Sequence, residues 1–175
     1  MADDVASLRA LAHPVRLQIL SLLTGAELSA AEVARELGIT QANASYHLRT
    51  LAAAGQVVVA GTETIRGGTA KRYRHPWDAA TPLRPVEDDD FPLYLQALAA
   101  EMVRRGALRT PGRTSSTDAD LWVEPEVWAE VMEQVDAAAS RLHAAARPPR
   151  TDGTVRVNMT AALFAMRDVV PGEQA

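Results

Sequence analysis

No cysteine occurs among the 175 residues, which excludes disulfides, thiolate metal sites and cysteine nucleophiles. No apolar run reaches the roughly 18 residues of a membrane span. The first residues, Met1-Ala2-Asp3-Asp4, are acidic where a secretory signal is basic and then apolar. A cytoplasmic chain without membrane association is the expectation. Ser45 and Ser115 lack a G-x-S-x-G setting, no G-x-x-x-x-G-K loop is present, and the carboxylates fall in an acidic linker and on helix faces. No catalytic constellation emerges, so the chain is not expected to be an enzyme. His13, His47, His75 and His143 show neither H-x-H nor H-x-x-x-H spacing, and neither a metal nor another cofactor is expected. No internal repeat is visible.

What is present is a folding composition, 47% apolar and 23% charged, in a length that suits one ordinary domain or two small ones. The net charge of −4 conceals an asymmetry. Residues 1–77 carry eight Lys/Arg against six Asp/Glu, and residues 78–175 carry ten against sixteen. Positive charge gathers late in the first part, at Arg66, Lys71, Arg72 and Arg74, so a local basic edge coexists with an acidic remainder. Pro76, Pro82, Pro85 and the run Glu87-Asp88-Asp89-Asp90 mark a linker. The expected division is a domain over 1–77, a Pro/acidic linker over 78–90 and a third part over 91–175.

Along the first part, Val5, Leu8 and Leu11 recur at helical spacing over residues 4–12. His13-Pro14 breaks that helix, and Pro14 suits the first turn of another over Val15 to Leu23, stopped by Thr24-Gly25. Ser29 and Glu32 form a capping box for a third helix ending at Leu37. Gly38-Ile39 then turns the chain into a fourth, in which Thr40 can cap the first turn and Gly55 can end the last. In that fourth helix Ala44, Leu48 and Leu51 make a narrow apolar stripe, while Ala42, Ser45, Tyr46, Arg49 and Ala53 project outward. Residues 29–54 therefore read as a helix-turn-helix.

Two β-prone runs follow, Val57 to Val59 and Ala70 to His75, with a Gly- and Thr-rich loop from Gly61 to Gly68 between them. With a short extended segment near Glu27-Leu28 as third strand, the hairpin completes a winged helix. The second helix of a helix-turn-helix enters the major groove. Gln41, Asn43, Ser45, Tyr46 and Arg49 are the candidate base readers, since Gln and Asn pair with adenine, Arg with guanine and Ser with either. Thr40, Arg66, Lys71, Arg72 and Arg74 are the candidate backbone and wing contacts. Arg16 is open between a phosphate contact and an internal buttress. Tyr73 reads as a core anchor and His47 as a half-buried histidine ranked below the base readers.

Leu11-Ala12-His13-Pro14-Val15-Arg16-Leu17-Gln18-Ile19-Leu20, Leu28 to Ala34, Gln41 to Leu51 and Ala54-Gly55 together resemble, in order and spacing, the ArsR-type winged-helix repressors. The resemblance covers residues 5–76. It implies a homodimer that binds double-stranded DNA at an operator and is released by an effector; the chain departs from the metal-sensing members in having no cysteine.

Beyond the linker, Phe91 to Arg105 is apolar on nearly every side, more than one contact face requires. In the resembled family the segment after the wing packs across the dimer axis with the first helix, which implies dimerisation through Val5, Leu8, Phe91, Leu95, Leu98 and Met102. Gly106 to Thr117 reads as a loop, Asp120 to Glu124 as a strand, Pro125 to about Ala146 as a helix and Thr154 to Thr160 as a second strand. Residues after Asp168 read as a loose tail. The expected fold is mainly α with a small β component: a winged helix-turn-helix, a dimerisation helix and a small strand-helix-strand appendage. Tyr94, Trp122, Trp128, Met132 and Phe164, with Met159, are candidates to line an apolar pocket for a small-molecule effector. The expected function is a dimeric, sequence-specific transcriptional repressor reading a pseudo-palindrome. The alternative is a winged-helix protein-interaction module without DNA binding.

Overall fold

The computed structural model describes residues 8–65, 68–78 and 90–167. Residues 8–11 are helical, and the N–H of Ala12 donates to the carbonyl of Leu8 at 2.9 Å. His13 then caps α1 (Pro14–Thr24) by accepting the Val15 N–H on Nδ1 at 3.2 Å, and Pro14 occupies a first-turn position where no donor is needed. Strand β1 (Leu28–Ser29) leads into α2 (Ala30–Leu37) through the capping box expected from the sequence. The Ser29 N–H donates to the Glu32 carboxylate at 2.7 Å, and the Glu32 N–H donates to Ser29 Oγ at 3.4 Å. Gly38, at φ 66°, adopts the left-handed conformation that turns the chain toward α3 (Gln41–Ala53). Gly55, at φ 70°, does the same just beyond α3.

One apolar cluster holds these helices together. Ile19 and Leu23 of α1, Val33 of α2, and Ala44, Leu48 and Leu51 of α3 are buried in it with Leu11 and Val57. The i, i+4, i+7 stripe of α3 is therefore the face packed inward, and each buried leucine contributes about 2 kcal/mol of transfer free energy.

Strands β2 (Val58–Ile65) and β3 (Gly68–Arg74) complete an antiparallel sheet in the order β1-β3-β2. Tyr73 lies between Leu28 and Val59 in the register and packs against the core, as an anchor should. The expected loop over Gly61 to Gly68 is corrected. Thr62 pairs with Lys71, Glu63 with Ala70 and Thr64 with Thr69, so ladder runs through most of it. A register irregularity leaves Ala60 without a partner between Val59 and Gly61, and the threonines beyond it favour strand.

Helix α4 (Asp90–Gly106) packs on α1, and α5 (Pro125–Ala145) follows a stretch, 107–124, without helix or strand. The chain then returns along the winged helix. Gly25 leaves room for the Arg147 backbone, since a Cβ there would lie 2.7 Å from the Arg147 carbonyl oxygen. Arg150, at φ 65°, pairs with Glu36 of α2, and Phe164 meets Phe91 edge-on at 5.5 Å between ring centroids.

Neither expected appendage strand forms: 120–124 and 154–160 lack strand structure, and only the helix between them is present. Alternation produces a strand when one face is covered and an edge is available. Here Trp122, Val155 and Val157 are 84%, 81% and 64% exposed. The described chain is thus mostly helical with a small three-stranded sheet, a winged helix-turn-helix fold. No helix among the described residues is long and apolar enough to cross a membrane. Residues 79–89 of the linker expected over 78–90, and the tail expected after Asp168, lie outside the described residues.

Candidate nucleic-acid interface

Thr40 fixes the start of α3 by accepting the Asn43 N–H on Oγ1 at 3.2 Å. Because Ala44, Leu48 and Leu51 face the core, Gln41, Asn43, Tyr46 and Arg49 are exposed together and Ser45 is half-buried beside them. The side chains of Gln41, Asn43 and Arg49 have no ion pair or hydrogen bond among the described residues. Such a face offers amide and guanidinium groups of the kinds that can pair with base edges.

His47 belongs to a different environment. Only 5% exposed, it points inward, with its ring 4.7 Å from that of His13 and its Nδ1 enclosed without a hydrogen-bond partner. Burial lowers its pKa, and the neighbouring His13 and Arg16 lower it further. His13 is lowered by burial and by Arg16. Arg16 donates from Nη2 to the Arg9 carbonyl at 2.9 Å, and its Nε is enclosed and unpartnered. Burial depresses the Arg16 pKa, against a raising influence from Tyr46. Of its two open roles, that of buttress is the one these contacts occupy. Sequence reasoning did not join His13 to His47, because the cap and the helix face are 34 positions apart and carry no shared motif.

On the wing, Lys71 is exposed and has no ion pair among the described residues, and Arg74 is exposed with Asp78 at 4.0 Å. Arg66 lies outside the described residues. Arg72 is corrected from a wing contact to an internal tie. Its Nη1 reaches Glu63 at 2.8 Å and Glu32 at 3.2 Å, and its Nη2 donates to the Glu27 carbonyl. A guanidinium so committed would have to break these bonds to meet a phosphate. The Ser29 backbone bond, aided by Arg72, holds the Glu32 carboxyl below its ordinary pKa despite burial.

The residues expected at a dimer contact divide. Leu8 is 2% exposed, inside its own chain, so it is corrected to a core residue; Val5 lies outside the described residues. Phe91, Leu95 and Leu98 are half-buried. Met102 remains open at 52%, alongside Leu93 and Val103 at 47% and 74%. The inner face of α4 carries Glu101, fully buried. It accepts Gln18 Nε2 at 2.6 Å and Arg104 Nη2 at 2.8 Å, with Arg105 at 3.3 Å. Burial alone would raise its pKa, but these partners outweigh it and hold the carboxyl below the ordinary range.

The candidate effector residues do not converge. Trp122 stands 84% exposed and Phe164 46% exposed, Trp128 and Met132 lie half-buried on α5, and Tyr94 packs on the helix-turn-helix core. Trp122 extends from an irregular stretch with no element over it. A shallow groove of about 280 Å³ exists between the start of α1 and α4, lined by Ala12, Pro14, Leu93, Gln96, Ala97 and Ala100, none of them among the candidates. Among the described residues no three His, Asp or Glu side chains are grouped as metal ligands.

Two helices joined by a Gly38 turn, the second with a bare polar face, match a known family over residues 11–59. That family is described as a helix-turn-helix domain. The match takes in α1 to the start of β2, whereas β3, α4 and α5 lie beyond the helix-turn-helix segment. Among solved structures, a possible transcriptional regulatory protein of Mycobacterium bovis, determined as fragment 1–100, is similar at 26% identity and a TM-score of 0.37, over 59% of this chain and 94% of that one. No curated protein matches the chain.

Proposed function

We propose that this chain is a sequence-specific, DNA-binding transcriptional regulator that acts as a homodimeric repressor of the ArsR type. The observation that carries the reading is the outward face of α3: Gln41, Asn43, Tyr46 and Arg49, exposed side by side on the second helix of a helix-turn-helix. In such domains that helix enters the major groove, and dimers present two of them about one DNA turn apart. Lys71 and Arg74 on β3 suit the flanking phosphates. Leu93, Met102 and Val103 leave α4 with open apolar surface that a second subunit would cover. An effector bound without thiolates would act through α4, which rests on α1 and so moves with the reading head.

A mobility-shift assay on the DNA upstream of the coding sequence tests the reading. A salt-sensitive shift protecting two half-sites about one turn apart is expected. No shift at low salt would contradict it and would favour the protein-interaction alternative.

A further inference from the structure

His13 and His47 reach each other from α1 and α3, and their surroundings leave no place for an added proton. The Nδ1 of His13 accepts the Val15 N–H at 3.2 Å and so caps α1. It is the unprotonated nitrogen of that ring, and a proton added there displaces the cap. The Nδ1 of His47 is enclosed without a partner, whereas an imidazolium needs an acceptor at both nitrogens. Among the described residues no carboxylate answers the pair: the charges that bear on the rings are Arg16 and, on His47, His13 itself. Asp90 of α4 pairs with Arg9 at 3.5 Å, and Glu101 is closed off by Gln18, Arg104 and Arg105. On α2, Glu32 is held by Ser29 and Arg72 and Glu36 by Arg150, and the remaining charge is that of Arg35. His75, just past β3, meets α1 at its other end, where its N–H donates to the Leu23 carbonyl.

We infer that the His13–His47 contact is an acid-sensitive latch on α3, and that protonation of the two rings releases the chain from its DNA. The latch lies directly beneath the outward face of α3. Tyr46, 56% exposed on that face, stands edge-on to the His47 ring at 5.3 Å between centroids. An imidazolium is accommodated by parting α1 from α3, and α3 then loses the footing that aims Gln41, Asn43 and Arg49 outward together. The inference rests on the DNA-binding reading and adds a signal that controls it. Its sign opposes ordinary electrostatics, because protonated histidines make the chain more positive and by themselves tighten binding to a polyanion. Once the junction is open, both rings titrate near their ordinary 6.5. A fall from about pH 7.5 to about pH 5.5 then multiplies the ratio of open to closed junction by about 100, and by about 10 where one ring remains.

The test is the affinity of the full chain for the DNA upstream of its coding sequence, by fluorescence anisotropy at about pH 7.5 and about pH 5.5 and constant ionic strength. Far-UV circular dichroism at each pH follows the fold. The parent is compared with His47→Gln and with His13→Asn, which removes the imidazole but keeps a side chain that can cap α1. These variants lie on opposite sides of the contact, so the test stays decisive where one of them misfolds. At the lower pH the parent is expected to lose affinity by about tenfold or more with its helical signal intact, and each variant clearly less. Equal losses in all three proteins, no loss in the parent, or tighter binding at the lower pH would overturn the inference and leave the DNA-binding reading standing. Loss of the helical signal together with affinity would assign the effect to global unfolding and likewise overturn it. A parent that does not bind at about pH 7.5 would overturn both.

Discussion

The imidazole rings of His13 and His47 stand 4.7 Å apart, tilted by 46°, so the cap of α1 and helix α3 meet through two histidines. Arg16 bears on both electrostatically. Placing a proton on either ring puts a buried cation beside an arginine, and the folded state disfavours it.

The sign of the pH dependence follows. Both histidines titrate lower in the folded chain than at their ordinary 6.5, with burial the leading cause. The unfolded chain therefore takes up protons first as pH falls. This contribution to stability is complete above about pH 6.5 and declines as pH drops toward the folded values. Thermal melts between about pH 7.5 and pH 5.5 should show a falling Tm, and His47→Gln should flatten the slope. An unchanged slope in the variant would dissociate the pair from the effect. His75, lowered chiefly by burial, supplies part of the residual slope.

Adjacent wing cations should behave oppositely. Arg72→Ala removes the tie to Glu27, Glu32 and Glu63 and is expected to cost about 1 kcal/mol of stability. Lys71→Ala touches no such partner and should leave the denaturation midpoint within about 0.5 kcal/mol of the parent. Equal destabilisation in urea titrations would refute the distinction.

How far this was legible in the sequence depends on the range over which each signal acts. The Ser29–Glu32 box and the stripe Ala44, Leu48, Leu51 are written within one or two helical turns, and they stand in the structure as read. The fate of Arg72 is written across Glu27, Glu32 and Glu63, three separate segments, and only the β1-β3-β2 order brings them together. The alternation at 154–160 has no covered face to answer to, so periodicity alone misled. For the α3 face, local pattern sufficed to place Gln41, Asn43, Tyr46 and Arg49 outward. It did not suffice to place Trp122, whose exposure depends on what packs over a stretch without periodicity.

The returning segment is tested at Gly25. A methyl at this position would lie 2.7 Å from the Arg147 carbonyl oxygen, so the backbone there must move. Gly25→Ala should cost about 1–3 kcal/mol and speed proteolytic cleavage near residues 147–150. A variant as stable and as resistant as the parent would mean that this contact contributes nothing to holding the segment.

The central claim is that α3 reads bases while the wing holds phosphates. It is tested most directly by operator affinity across a salt series for the parent, Arg49→Ala and Lys71→Ala. Arg49→Ala should lose roughly 1–3 kcal/mol against the operator, with discrimination relaxed at one base pair. Lys71→Ala should weaken all sequences alike and reduce the slope of log affinity against log salt by about 1 per subunit. Parental affinity and slope in both variants would contradict the account.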